Sequence, residues 1–104
     1  MTSSPSAVAE IVTFRITDDV SPDAFTEAAA ETRAFVEAAP GFLARTLTQG
    51  EDGTWTDYVL WASMDDAKAA AATIGSHPST QTFIKAIAPG SVDMRHEHVR
   101  WQMV

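Results

Sequence analysis

Tyr58-Val59-Leu60-Trp61-Ala62-Ser63-Met64-Asp65-Asp66-Ala67 is the stretch on which the fold turns. Up to Trp61 it is rich in β-branched and aromatic residues, the composition of a buried strand. Ser63 then precedes Asp66 at capping-box-like spacing, which satisfies the free amide donors of a helix start. A strand that runs straight into a capped helix sets the register of everything after it.

Upstream, Ala9 to Thr17 predicts a first strand, and Asp18-Asp19-Val20 a turn. Ser21-Pro22-Asp23 supplies an N-cap, a proline at the first helical position and an acid in the first turn. Phe25, Ala28, Ala29, Thr32, Phe35, Val36 and Ala39 recur at helical spacing and make one apolar face, which Pro40-Gly41 ends. Phe42 to Thr48 predicts a second strand, Gln49 to Gly53 a hairpin loop, and Thr54 to Trp61 the third strand. The alanine-rich second helix is interrupted at Gly75-Ser76-His77-Pro78 and resumes around Phe83, Ile84 and Ile87. Ser91 to Met103 predicts a long last strand.

The order is βαββαβ, a ferredoxin-like α+β arrangement with a four-stranded antiparallel sheet and helices on one face. Residues 1–7 read as a flexible N-terminal tail and 8–104 as a single domain. Along the third strand Trp55, Asp57, Val59 and Trp61 alternate with Thr56, Tyr58 and Leu60. Neither set is uniformly polar, as a solvated face would be. The open face therefore calls for a protein layer, most simply a twofold copy, and a homodimer is expected.

The chain has 104 residues, 45% of them hydrophobic, and no cysteine, which excludes disulfides and thiolate chemistry and fits a cytoplasmic setting. No apolar run approaches the roughly 20 residues of a membrane span. The net charge is −7, with Lys68 and Lys85 the only lysines and five scattered arginines. Nucleic acid and anionic membranes, which need clustered basic residues, are poor partners.

Three segments carry a resemblance to the dimeric α+β barrel superfamily, within it the antibiotic-biosynthesis-monooxygenase-like group. They are Ala39-Pro40-Gly41-Phe42, Leu60 through Ala67, and Ser76-His77-Pro78 with Phe83. The resemblance implies a dimer with a pocket between each sheet and its helices. It also implies oxidation of aromatic or polyketide-like molecules without metal or flavin, or related cyclase and isomerase chemistry. Members often carry Glu two residues before the tryptophan and His in the second helix; here those places hold Val59 and Ala70. The Asn and His of the haem-degrading branch are missing.

His96 and His98 share one face of the last strand, roughly 7 Å apart by strand geometry. They suit a metal pair or a base with its helper, but a metal site needs more ligands than this, and none is expected. No cofactor is expected either. His96 is the candidate base, and Tyr58 the candidate hydrogen-bond donor to a phenol or quinone oxygen. Trp61 and Trp55 suit the lining of an aromatic slot, although Trp also serves simply as buried area, the reading favoured for Trp101. Asp57, inside an apolar strand, is either a base or the partner of Arg45 across the hairpin. His77, at the helix interruption, suits a pocket mouth or a cap. Serine nucleophile, phosphate-loop and paired-carboxylate motifs are absent. The alternatives to an enzyme are a binding protein for a hydrophobic small molecule and a stress-related dimer module.

Overall fold

The computed structural model describes residues 7–104, so the expected tail falls, but for Ala7, outside the described residues. The elements are β1 (Val8–Phe14), α1 (Pro22–Glu31), α2 (Arg33–Ala38), β2 (Phe42–Gln49), β3 (Trp55–Trp61), α3 (Met64–Thr73), α4 (Gln81–Lys85) and β4 (Asp93–His98). The strands form one antiparallel sheet in the order β2-β3-β1-β4. This is the expected ferredoxin-like α+β fold.

Local chemistry explains the boundaries. Ser21 caps α1 by accepting from the Ala24 amide, with Pro22 in the first turn. Ser63 caps α3 in the same way, accepting from Asp66, as its spacing predicts. Where the sequence suggests one continuous first helix, the structure breaks it at Thr32. The Thr32 hydroxyl donates to the Ala29 carbonyl at 2.6 Å and competes with the helical ladder. Two 3₁₀ turns, Ile74–Ser76 and Pro78–Thr80, join α3 to α4, and His77 caps the second by accepting from the Ser79 amide. In the β2–β3 hairpin Asp52 accepts from the Thr54 amide, which holds its carboxyl below the ordinary aspartate value.

The last strand is shorter than the expected Ser91–Met103. Among the described residues its only neighbour is β1, whose ladder ends where Val8 pairs with His98. One more bond, from the Val99 amide to the Ala7 carbonyl, follows. Trp101 lies beyond it, 79% exposed, and is not part of the core. The first strand likewise ends at Phe14 rather than Thr17. The chain there turns to bond the segment before β4, through Thr17 to Ala86 and Ala88 to Arg15.

The main core lies between the sheet and the helices. Phe14, Phe25, Trp55 and Phe83 pack ring to ring, with Phe25 edge-on to Trp55 and stacked on Phe83, both at 4.9 Å. Such pairs add about 0.5–1.5 kcal/mol beyond their burial. A second cluster of Val59, Trp61, Ala67 and Ala70 lies under α3. On the opposite face Ala9, Ile11 and Leu60 form a small patch against which Val99 packs.

The turn into β2 is held by Gly41. Its φ is +83°, a conformation that side chains disfavour, and a Cβ there would collide with the Asp66 carboxylate. Gly41→Ala is therefore expected to destabilise the fold by about 1–3 kcal/mol, read as a lower denaturation midpoint at unchanged m-value.

Candidate functional site

A cavity of about 200 Å³ lies between the sheet and the helical layer. Its floor is the helix-facing side of the sheet: Glu10, Val12 and Phe14 from β1, Arg45 from β2, and Asp57, Val59 and Trp61 from β3. Its roof is Phe35 and Val36 of α2, Ala70 and Ala71 of α3, Ile74, and Phe83 and Ile84 of α4. At the β4 edge it is bordered by Val92 and Met94, which are about half exposed. The alanines of α3 leave the room that larger side chains would fill. Three charged side chains, Glu10, Arg45 and Asp57, stand in an otherwise apolar wall.

Glu10 sits on the central strand, alternating with Val8, Val12 and Phe14, so the strand's period of two points it at the helices. It is buried, and its Oε2 lies 2.9 Å from Nε2 of His96, its direct neighbour on β4. With Nε2 protonated, the imidazole donates to the carboxylate and leaves Oε1 facing no hydrogen-bond donor among the described residues. The pair thus places a proton acceptor in an apolar cavity, with a second titratable group directly behind it.

Arg45 and Asp57 form a bidentate pair, Nε to Oδ1 at 3.0 Å and Nη2 to Oδ2 at 2.7 Å. Nη1 also donates to the Thr32 hydroxyl at 2.6 Å, and the guanidinium stands 5.3 Å from the centre of the Phe83 ring. Both partners are largely buried. Such a planar fork matched to a carboxylate is what makes Arg the usual choice for buried pairs. The helix break at Thr32 and the ion pair belong to one arrangement: the hydroxyl donates to Ala29 and accepts from Arg45.

The cofactor-independent oxygenase SnoaB of Streptomyces nogalater, in a single-residue mutant form, superposes with a TM-score of 0.74 at 21% identity, over 94% of this chain and 97% of that one. An antibiotic-biosynthesis-monooxygenase-like protein of Bordetella bronchiseptica gives 0.77 at 15% identity, over 92% and 99%. The hydroxynitrile lyase of Passiflora edulis gives 0.65 at 16%, over 97% and 100%. The chain has the fold of the antibiotic-biosynthesis-monooxygenase-like proteins. No family model and no curated protein sequence matches it.

Within this fold the residues singled out from sequence separate into groups. Trp61 and Asp57 line the cavity. Asp57 is the partner of Arg45, the second of the two roles the sequence allows it. Trp55 lies in the aromatic core outside the cavity lining. Tyr58 points to the opposite face of the sheet, 39% exposed, because alternation along β3 separates it from Asp57 and Val59. His77 lies outside the cavity, its ring 5.1 Å from that of Phe35 and its Nδ1 engaged with Ser79. His96 is on the helix-facing side, but Glu10 rather than His96 lines the cavity. Among the described residues no three His, Asp or Glu side chains converge as metal ligands would.

Sequence reading misses Glu10 and Thr32. The alternation Val8, Glu10, Val12, Phe14 contains the signal for Glu10: a lone acid on an inward-facing apolar set. Glu10 pairs directly with Val59, the position where the family resemblance leads one to look for a Glu.

The ion pair makes a measurable demand. Arg45→Ala strands a buried carboxylate and is expected to cost about 3–5 kcal/mol, whereas Arg45→Met with Asp57→Leu returns most of that loss. A double-mutant cycle in denaturant unfolding checks both values.

Proposed function

We propose that the protein binds a small aromatic molecule in the cavity and oxidises it with molecular oxygen, with Glu10 taking the proton that activates it. The observation that carries this reading is a buried carboxylate, backed by an imidazole, in an apolar wall. Loss of a proton from a hydroxyl or an activated carbon makes the ring anionic and electron-rich, so that it passes electrons to oxygen itself. One oxygen atom enters the ring system and the other leaves as water, all electrons coming from the substrate. The cavity surrounds the ring with apolar side chains and fixes the reacting atom beside Oε1. Similarity of fold to a cofactor-independent oxygenase supports the reading by analogy only.

His96 holds Glu10 in place and is a positioning residue; Tyr58, Trp55 and His77 take no part in the reaction. Oxygen consumption with dihydroxybenzenes and dihydroxynaphthalenes, after subtraction of the spontaneous rate, tests the proposal. Glu10→Gln is expected to lower kcat/KM by about 10²–10⁴-fold with the fold intact. His96→Ala is expected to lower kcat with KM little changed, a split that a purely packing histidine would not produce. Binding of the same compounds without oxygen uptake would support instead a carrier for hydrophobic small molecules.

The working unit in this proposal is a homodimer formed through the open sheet face. That face carries Ala9, Ile11 and Leu60, and half-exposed Tyr58 beside them. Ala9, Ile11 and Leu60 are themselves buried, so the contact rests on Tyr58 and the residues around it, and on the gain a small chain makes by covering a sheet face with a second copy. Tyr58→Arg sets two like charges against each other across a twofold axis, and is expected to turn a dimer into a monomer in sedimentation velocity at micromolar concentration. Among the described residues no helix is long and apolar enough to cross a membrane, and the lack of cysteine suits a cytoplasmic site.

A further inference from the structure

We infer that the ligand of this cavity is an uncharged phenol of one ring or two compact fused rings, and that three-ring compounds and aromatic carboxylates are excluded. The inference rests on the reading of the cavity as a ligand site, and adds to it a limit on size, charge and polarity.

Size comes first. An apolar cavity of roughly 150 Å³ is known to hold benzene, which is about 25 Å³ of space for each ring carbon. At about 200 Å³ the cavity lies below the roughly 300–1,000 Å³ of ordinary drug-sized pockets. At the same spacing it holds about eight ring carbons, a substituted single ring; two fused rings need about 250 Å³ and fit only by reaching the open edge beside Val92 and Met94. Three linear rings need about 350 Å³ on that scale.

Charge comes next. Arg45 is the cation in the wall, and all three of its side-chain nitrogens are already engaged, by both oxygens of Asp57 and by Thr32. A ligand carboxylate or phosphate would find no free cation there and would face Glu10. Polarity sets the last limit. Oε1 of Glu10 is an acceptor without a donor among the described residues, so the ligand that fits best brings a hydroxyl to it. Burying such an acceptor without a donor is costly, so a ligand lacking the hydroxyl is penalised.

Calorimetric titration of the native chain with phenol, 2-naphthol, 2-methoxynaphthalene, 2-naphthoate and 2-hydroxyanthracene tests each limit separately. Phenol and 2-naphthol are expected to bind, and the other three to bind at least tenfold more weakly than 2-naphthol. Ile84→Ala, which removes atoms from the roof, is expected to narrow the gap between 2-hydroxyanthracene and 2-naphthol. Equal binding of 2-hydroxyanthracene and 2-naphthol to the native chain would overturn the size limit and leave the proposed function standing. Equal binding of the methyl ether or the carboxylate would overturn the polarity or the charge limit in the same way. Failure of all five to bind a correctly folded chain would overturn this inference and the ligand-site reading together, whereas 2-naphthol binding without oxygen uptake would overturn only the oxidation.

Discussion

The guanidinium of Arg45 is the constraint around which the helical layer and the sheet are arranged. A cation in that position is tolerable only if its donors are met, and they are met from two directions. Asp57 supplies a carboxylate from the neighbouring strand, and Thr32 a hydroxyl from the joint between α1 and α2. Thr32 meets Arg45 at the point where the helix is interrupted. The break that lowers the regularity of the first helix therefore satisfies the charge in the core. Phe83, from the far end of the chain, lies beside the same group and ties α4 to it.

Because that pair is internally neutral, it forms cavity wall without acting as a ligand-binding charge. Glu10 is different. Its carboxylate meets one imidazole and otherwise faces apolar side chains. Two pairs of similar length, one ionic and one a hydrogen bond between imidazole and carboxylate, thus differ: the first fixes the architecture, and the second leaves one carboxylate oxygen without a donor among the described residues. Their separation on the sheet, β2 with β3 and β1 with β4, lets the chain keep both.

Much of the architecture is legible from short local signals. Ser21-Pro22 and Ser63 mark helix starts that the structure confirms, and the alternation on β3 assigns Trp61 and Tyr58 to opposite faces. The strand lengths are not legible, because pairing ends where the partner ends: β4 stops where the described part of β1 does, however β-prone the residues beyond it are. The site is legible in part. His96 stands out on its own strand, yet the carboxylate that meets it lies on β1, 86 residues earlier in the chain. Which two strands become neighbours is a property of the sheet order, and no spacing within either strand contains it. Tyr58 misleads for a simpler reason: a polar group within an apolar strand has two faces to choose from, and its own chemistry does not decide.

Glu10 belongs to a central strand bonded on both sides, whereas His96 belongs to the sheet's edge and, among the described residues, has β1 as its only ladder partner. Edge strands open locally at a free-energy cost well below that of global unfolding. Opening of β4 would separate the imidazole from the carboxylate while Arg45, Asp57 and the aromatic core stayed in place. The Glu10–His96 contact therefore has its own, lower threshold of disorder. In amide hydrogen exchange the β4 backbone should lose protection first, so that warming parts the imidazole from the carboxylate while the rest of the molecule still holds its fold.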